Sequence, residues 1–217
     1  GFIETLALCK KFNPMQKTNE HKKLEKEIAR YLKYLESLPV IQYALKITGT
    51  DMKAVKKNWF GPGRGFEHIF AGELKGTKVS GYHWWYCFYA DERKGKAFYK
   101  NSIEGQDDSN IFTGVFRWDP DADGPIKPAL KSKGGFSVGH SAEALIALGH
   151  VALELGRKMG KKNAYTFRAN INGREYLWQI FLYQGSIRSL YPMVPKRANA
   201  DIHQRIQEYL LELQSIH

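Results

Sequence analysis

Cysteine is nearly missing from this 217-residue chain: Cys9 and Cys87 are the only two, and they form no C-x-x-C pair. That is too few for a disulfide scaffold. Two reduced, packed thiols in a reducing compartment are the expected state, with one Cys9–Cys87 bridge as the alternative. No apolar run approaches the ~20 residues that a membrane-spanning helix needs, so no membrane partner is expected. The opening Gly1-Phe2-Ile3-Glu4-Thr5-Leu6 has neither the charged region nor the cleavage site of a secretory leader, which favours a cytoplasmic location, although a chain without an initial Met can be part of a longer one. H-E-x-x-H and other close clusters of metal ligands are absent too. Negative charge is in deficit: 22 Asp+Glu stand against 33 Lys+Arg, a formal charge of +11. Hydrophobic residues make up 43% of the chain, which excludes a disordered tail protein because that much apolar mass offsets chain entropy. The positive excess favours a polyanionic partner, since such a surface attracts phosphates and releases their counterions.

Apolar periodicity places helices in the first part of the chain. Leu24, Ile28, Tyr31, Leu32 and Leu35 share a helical face, and Pro39 should end that helix. A second apolar piece spans 41–47, and Asp51 is placed to cap a third helix toward Trp59. After Gly61-Pro62-Gly63-Arg64-Gly65 the pattern changes to short apolar runs between turns: 69–70, 78–79, 97–99, 111–118, 164–171 and 176–183. Asn172-Gly173 between the last two is a hairpin signal, because Asn-Gly accepts the positive φ of a tight turn. Leu145, Leu148, Val151, Ala152 and Leu155 predict a helix over 141–159 with Ser141 as its N-cap. A further helix is expected over 201–216. The pattern reads as α+β with antiparallel sheets.

Of seven histidines, His68 and His83 stand apart, each following a glycine-bearing turn among aromatic neighbours. A histidine pair near neutral pKa suits RNA transesterification. One ring takes the proton of a ribose 2′-OH while the other gives one to the departing 5′-oxygen. A nearby lysine stabilises the extra charge on the five-coordinate phosphate, and no metal is demanded. His83 and Cys87, four apart, are a weaker zinc signal with no second pair to complete it. Basic runs at Lys53, Lys56 and Lys57 and at Arg157, Lys158, Lys161 and Lys162 are candidate phosphate contacts outside the site.

Two blocks carry a resemblance: Gly65-Phe66-Glu67-His68-Ile69-Phe70-Ala71-Gly72-Glu73 and Gly81-Tyr82-His83-Trp84-Trp85-Tyr86-Cys87-Phe88-Tyr89. They resemble the double-histidine signature of the EndoU endoribonucleases, in which G-F-E-H-V-F-x-G-E precedes G-F-H-N-W-x-x-F-Y. Tyr82 stands for Phe and Trp84 for Asn. Trp118 with Gly124-Pro125-Ile126-Lys127-Pro128 is similar to the family's W-x-G-x-x-K-P. Gly135-Phe136-Ser137-Val138-Gly139-His140-Ser141-Ala142-Glu143 resembles S-F-F-I-G-T-S-P-E. Ser189-Leu190-Tyr191-Pro192 resembles the (S/T)-x-Y-P shared with coronaviral uridylate-specific relatives. The ordered series spans residues 59–192.

The resemblance implies a helical N-terminal region (1–60) and a catalytic domain (61–217) of two antiparallel sheets flanked by helices, or one continuous unit, with the site in the groove between the sheets. It implies cleavage of single-stranded RNA preferentially at uridylates, leaving a 2′,3′-cyclic phosphate, with His83 as base and His68 as acid. Lys127 matches the catalytic lysine by its Gly-x-x-Lys-Pro context and is favoured on that ground. Lys131 matches better by its distance to Phe136 and Gly139. Ser189 and Tyr191 match the positions that read and pack on the uracil nucleoside. Glu67 and Glu73 match family carboxylates important for activity, and are candidates to orient a histidine or contribute to a metal site. Mn2+ is an aid that the family implies rather than a requirement of these residues. A monomer is expected. If the chain is a toxin acting in a target-cell cytoplasm, an immunity or inhibitor protein is the expected partner. The rival readings are a non-catalytic RNA-binding module of the same fold and a metal-dependent nuclease.

Overall fold

A computed structural model describes residues 1–15, 20–104, 110–122 and 127–193 of the chain. The helix expected over 201–216 lies outside these residues, as do Gly124, Pro125 and Ile126.

Four helices open the chain: α1 (Phe2–Cys9), α2 (Glu25–Glu36), α3 (Pro39–Thr48) and α4 (Met52–Phe60). Ile28, Tyr31, Leu32 and Leu35 form the buried stripe of α2. Pro39 does more than end that helix: it occupies the first turn of α3, where its missing N–H would have had no partner in any case. Asp51 caps α4 by accepting a hydrogen bond from the Ala54 amide at 3.0 Å. A short π-helical turn (Glu67–Ala71) follows, so Ile69 and Phe70 are not a strand as their apolar character suggests. Phe66 just before that turn and Phe70 within it are fully buried, and a two-residue apolar run is too short to pair as a ladder.

Five strands build the larger sheet: β1 (Glu73–Lys75), β2 (Lys78–Ser80), β3 (Ala97–Glu104), β4 (Ile111–Trp118) and β5 (Ala129–Ser137), in the order β1-β2-β5-β4-β3. It is mixed rather than fully antiparallel, because β2 runs parallel to β5 at Lys78↔Leu130. The helix α5 (Trp85–Glu92) lies between β2 and β3 in sequence. The smaller sheet, β6 (Ala164–Ile171), β7 (Arg174–Tyr183) and β8 (Ser186–Met193), is an antiparallel meander. Its first hairpin turns at Asn172-Gly173, with φ of 53° and 81°, as a type I′ turn requires. Between the sheets in sequence comes α6 (Ala142–Lys158), capped by Ser141 through the Ala144 amide at 3.2 Å.

One continuous apolar core joins the N-terminal helices to both sheets. Trp59 of α4 donates its indole N–H to the Ile146 carbonyl of α6 at 3.0 Å, and Phe2 of α1 stacks on Trp84 at 6.0 Å. Cys9 and Cys87 are both free and buried. Among the described residues, no helix is long and apolar enough to cross a membrane.

The π turn and the segment before α5 are stitched together by their backbones. Tyr82 N–H donates to the His68 carbonyl and His83 N–H to the Ile69 carbonyl, each at 2.7 Å. Gly81 makes this approach possible: a Cβ there would sit 1.9 Å from the His68 carbonyl oxygen. Gly81→Ala should therefore destabilise the fold by ~1–3 kcal/mol more than Gly95→Ala. Gly95 shares the positive φ but has open space around it. Urea unfolding of both variants checks this, and equal midpoints would contradict the close approach.

Candidate active site

The backbone clamp brings the two histidine rings to 6.0 Å between centroids. They line a cleft of about 400 Å³ between the sheets, within the range of small-ligand sites. Lys131 of β5, Ser189 and Tyr191 of β8, Phe181 of β7 and the β1–β2 hairpin complete its walls. Ser189 and Tyr191 are two apart on one strand, so the pleat points both the same way.

Each histidine is held by a different kind of partner. The Nδ1 of His83 lies 3.3 Å from the Gly135 carbonyl. A carbonyl only accepts, so Nδ1 carries the proton and Nε2 keeps its lone pair. Burial, then the Lys131 and His68 charges, push the His83 pKa well below its ordinary value. The Nδ1 of His68 instead faces a carboxylate oxygen of Glu73 at 3.0 Å. Burial lowers His68 to about 4, against the opposing pull of Glu73. Burial pushes the Glu73 carboxyl up, but hydrogen bonds from His68 and Arg188 outweigh it and hold the group at about 2. Arg188 clasps both Glu73 oxygens, at 3.2 and 2.7 Å.

Lys131 is 8% exposed and donates from Nζ to the Gly81 carbonyl at 2.6 Å. Burial lowers its pKa to about 8. Lys127 is exposed and does not line the cleft. The strand that begins at Ala129 buries the side chain of Lys131 and leaves Lys127 before it, so of the two lysines that the motifs bring forward, Lys131 is the one beside the histidines.

The ring of Tyr191 stacks on His83 at 5.3 Å and 27°, and on Phe181 at 6.2 Å and 24°. The Ser189 hydroxyl makes no hydrogen bond among the described residues, which leaves it available to a ligand. Glu67 is placed differently from Glu73. It is 1% exposed, outside the cleft lining, and bound by Arg64 through Nε at 2.8 Å and through Nη2. His21 stands 3.7 Å from it, with its own Nδ1 on the Phe60 carbonyl at 2.7 Å.

The donor set does not fit a manganese ion. Glu73 is occupied by Arg188 and His68, and Glu67 by Arg64, so guanidinium charge already neutralises both carboxylates. Among the described residues no group of three or more His, Cys, Asp or Glu is disposed to hold a metal. Cys87 lies in the core, where contact with Cys9 and then burial push its thiol up, and it does not line the cleft with His83. The basic runs on α4 and at the end of α6 do not line it either.

Sequence reading alone did not bring forward Arg188, Arg64 or Phe181. Arg188 had one available signal: it directly precedes the Ser189-Leu190-Tyr191 motif as the one charged residue of its strand.

The low His68 pKa has a consequence for stability. The unfolded chain protonates this ring near the model-peptide value of 6.5 and the fold only near 4. Between those values the unfolded state binds more protons, so stability falls as pH drops through that window. His68→Gln should flatten this slope, read as urea midpoints at pH about 7 and about 5. An unaltered slope would contradict the burial of a neutral ring.

Comparisons with known proteins bear on the family and the fold. Residues 56–192 match the family described as Endoribonuclease XendoU. A uridylate-specific endoribonuclease of Paralichthys olivaceus is 31% identical over 164 residues, covering 65% of this chain and 38% of that protein. The Homo sapiens uridylate-specific endoribonuclease is 36% identical over 77 residues, covering 30% and 19%. The chain thus spans well under half the length of these relatives. Its fold is similar to the solved structure of XendoU, described as a splicing-independent snoRNA processing endoribonuclease: TM-score 0.63, 18% identity, 90% of this chain and 77% of that one. With the family match extending across more than half of its residues, the chain belongs to the XendoU endoribonuclease family.

Proposed function

We propose that this protein is an endoribonuclease that cuts single-stranded RNA at uridylates by attack of the ribose 2′-OH on the adjacent phosphate. The observation that carries the reading is the pair of facing imidazoles with unlike partners, a carbonyl behind His83 and a carboxylate behind His68. With Nδ1–H committed to Gly135, the Nε2 of His83 accepts the 2′-OH proton as the 2′-oxygen bonds to phosphorus. The P–O5′ bond breaks, and the 5′-oxygen takes a proton from the Nε2 of His68. Glu73 stabilises the His68 imidazolium that this step needs, and a bound phosphate anion raises its low pKa further in the same direction. The products are a 2′,3′-cyclic phosphate and a 5′-hydroxyl, so atoms and protons balance within the two histidines.

Lys131, poised beside both rings, supplies positive charge to the phosphorane oxygens. Tyr191 offers a face for the base, and the unengaged Ser189 hydroxyl a contact for its edge. Such a cleft takes an unpaired nucleotide, since bases inside A-form duplex are not accessible to it.

Lys131→Ala should lower kcat by ~100-fold or more, the range for loss of a preorganised charge at a developing anion, whereas Lys127→Ala should stay within ~3-fold of the parent. Comparable losses in both would undo the role assigned to Lys131. Lys131 loses its charge above about 8, so the rate should fall on that side of the profile, and Lys131→Arg should move the fall to higher pH. Ser189→Ala should narrow the ratio of uridine to cytidine cleavage more than it slows cleavage overall. An unchanged ratio would remove Ser189 from base reading.

A further inference from the structure

Two lysines at the lip of the cleft have no part in the chemistry above. Lys75 ends β1 and Lys78 begins β2, joined by Gly76-Thr77 with a φ of +61° at Gly76. They are paired directly across the hairpin, Lys75↔Lys78. Like charges set opposite each other on a two-stranded ribbon repel. Among the described residues neither ammonium is paired with a carboxylate, so nothing in this part of the fold relieves that repulsion. Both residues are exposed, and both line the same cleft as His68 and His83.

The hairpin is held rigidly against the catalytic strand. Thr77 accepts from the Leu130 amide at 2.9 Å, and Leu74 N–H donates to the Pro14 carbonyl at 2.7 Å. Lys78 is in register with Leu130, the residue before Lys131. The backbone that carries two cations is therefore anchored beside the strand of the buried lysine. The opposite wall, Ser189 and Tyr191, is where a base is received. A cleft of about 400 Å³ accommodates one nucleotide, so the phosphates that flank it fall at the rim.

We propose that Lys75 and Lys78 form a second phosphate subsite, which holds the phosphodiester of the nucleotide next to the one being cut. The ligand class is a nucleic-acid backbone phosphate, a monoanion that bridges two ammonium groups. The proposal rests on the RNA-cleavage reading for its orientation, but its test does not depend on turnover.

The test is binding of labelled, non-cleavable probes in which 2′-deoxyuridine replaces the single uridine. One probe is a dinucleotide with one phosphodiester; the other is a ten-nucleotide RNA. In the Lys75→Ala/Lys78→Ala double variant, the decamer-to-dinucleotide affinity ratio should fall about 10-fold. The slope of log affinity against log salt for the decamer should shrink by ~0.7, the value for one single-strand phosphate contact. Lys75→Glu/Lys78→Glu should deepen both effects. Equal weakening of the two probes, or an unchanged salt slope, would overturn the subsite. Failure of the parent protein to cut the ribose decamer, with these binding differences intact, would instead remove the cleavage reading and leave the subsite standing.

Discussion

The feature on which the rest of this structure depends is the backbone clamp between the π turn and the segment before α5. Two short hydrogen bonds, Tyr82 to His68 and His83 to Ile69, fix the relation between two loops that are otherwise separated by the β1–β2 hairpin. Neither histidine sits on a long regular element, so side-chain packing alone would not define their spacing. Gly81 permits the approach, and Tyr82 secures it from beneath: its ring stacks on Trp118 at 4.5 Å, and its hydroxyl donates to Asp91 at 2.5 Å. The aromatic core is in this sense the foundation of the cleft.

Electrostatics then differentiates two chemically identical rings. His83 faces a carbonyl and a lysine, and His68 faces a carboxylate anchored by Arg188. The arginine commits Glu73 to its ionised state and fixes its direction toward His68. Arg64 binds Glu67 in a similar way outside the cleft lining, but there burial outweighs the guanidinium and pushes the carboxyl's pKa up. Both carboxylates are held by arginines, and a cation would have to displace a guanidinium to use them. The net charge of +11 is expressed in the cleft by Lys131 at its floor and by Lys75 and Lys78 at its rim, a gradient suited to a phosphate chain in our reading.

Much of the fold was legible in the sequence because its signals are local. Asp51 and Ser141 cap their helices, Asn172-Gly173 turns its hairpin, and Ile28 to Leu35 marks a buried stripe. Other parts were not. β5 reads as polar and glycine-rich through Lys131, Lys133, Gly134 and Gly135, and it is a strand because β4 and β2 pair with it. The aromatic run 85–89 turns into α5 with little amphipathic pattern, its rings spread between core and surface. The histidine pair and the Ser189–Tyr191 motif pointed to one place in the fold, and they line one cleft. The choice between lysines divided: motif context favoured Lys127 and spacing favoured Lys131. Only the strand pairing, which is long-range, brings Lys131 beside the rings. Arg188 belongs to the same category, since its meaning depends on a carboxylate far away in sequence.

The central claim is that this cleft positions a ribose hydroxyl for attack on its own phosphate. Its most direct test is an end-labelled RNA with one uridine, run beside the same oligomer with 2′-deoxyuridine at that position, with the product ends identified by mass. The account predicts cutting of the ribose oligomer alone, leaving a 2′,3′-cyclic phosphate and a 5′-hydroxyl. Cutting of both oligomers, or a product with a 5′-phosphate, would contradict it.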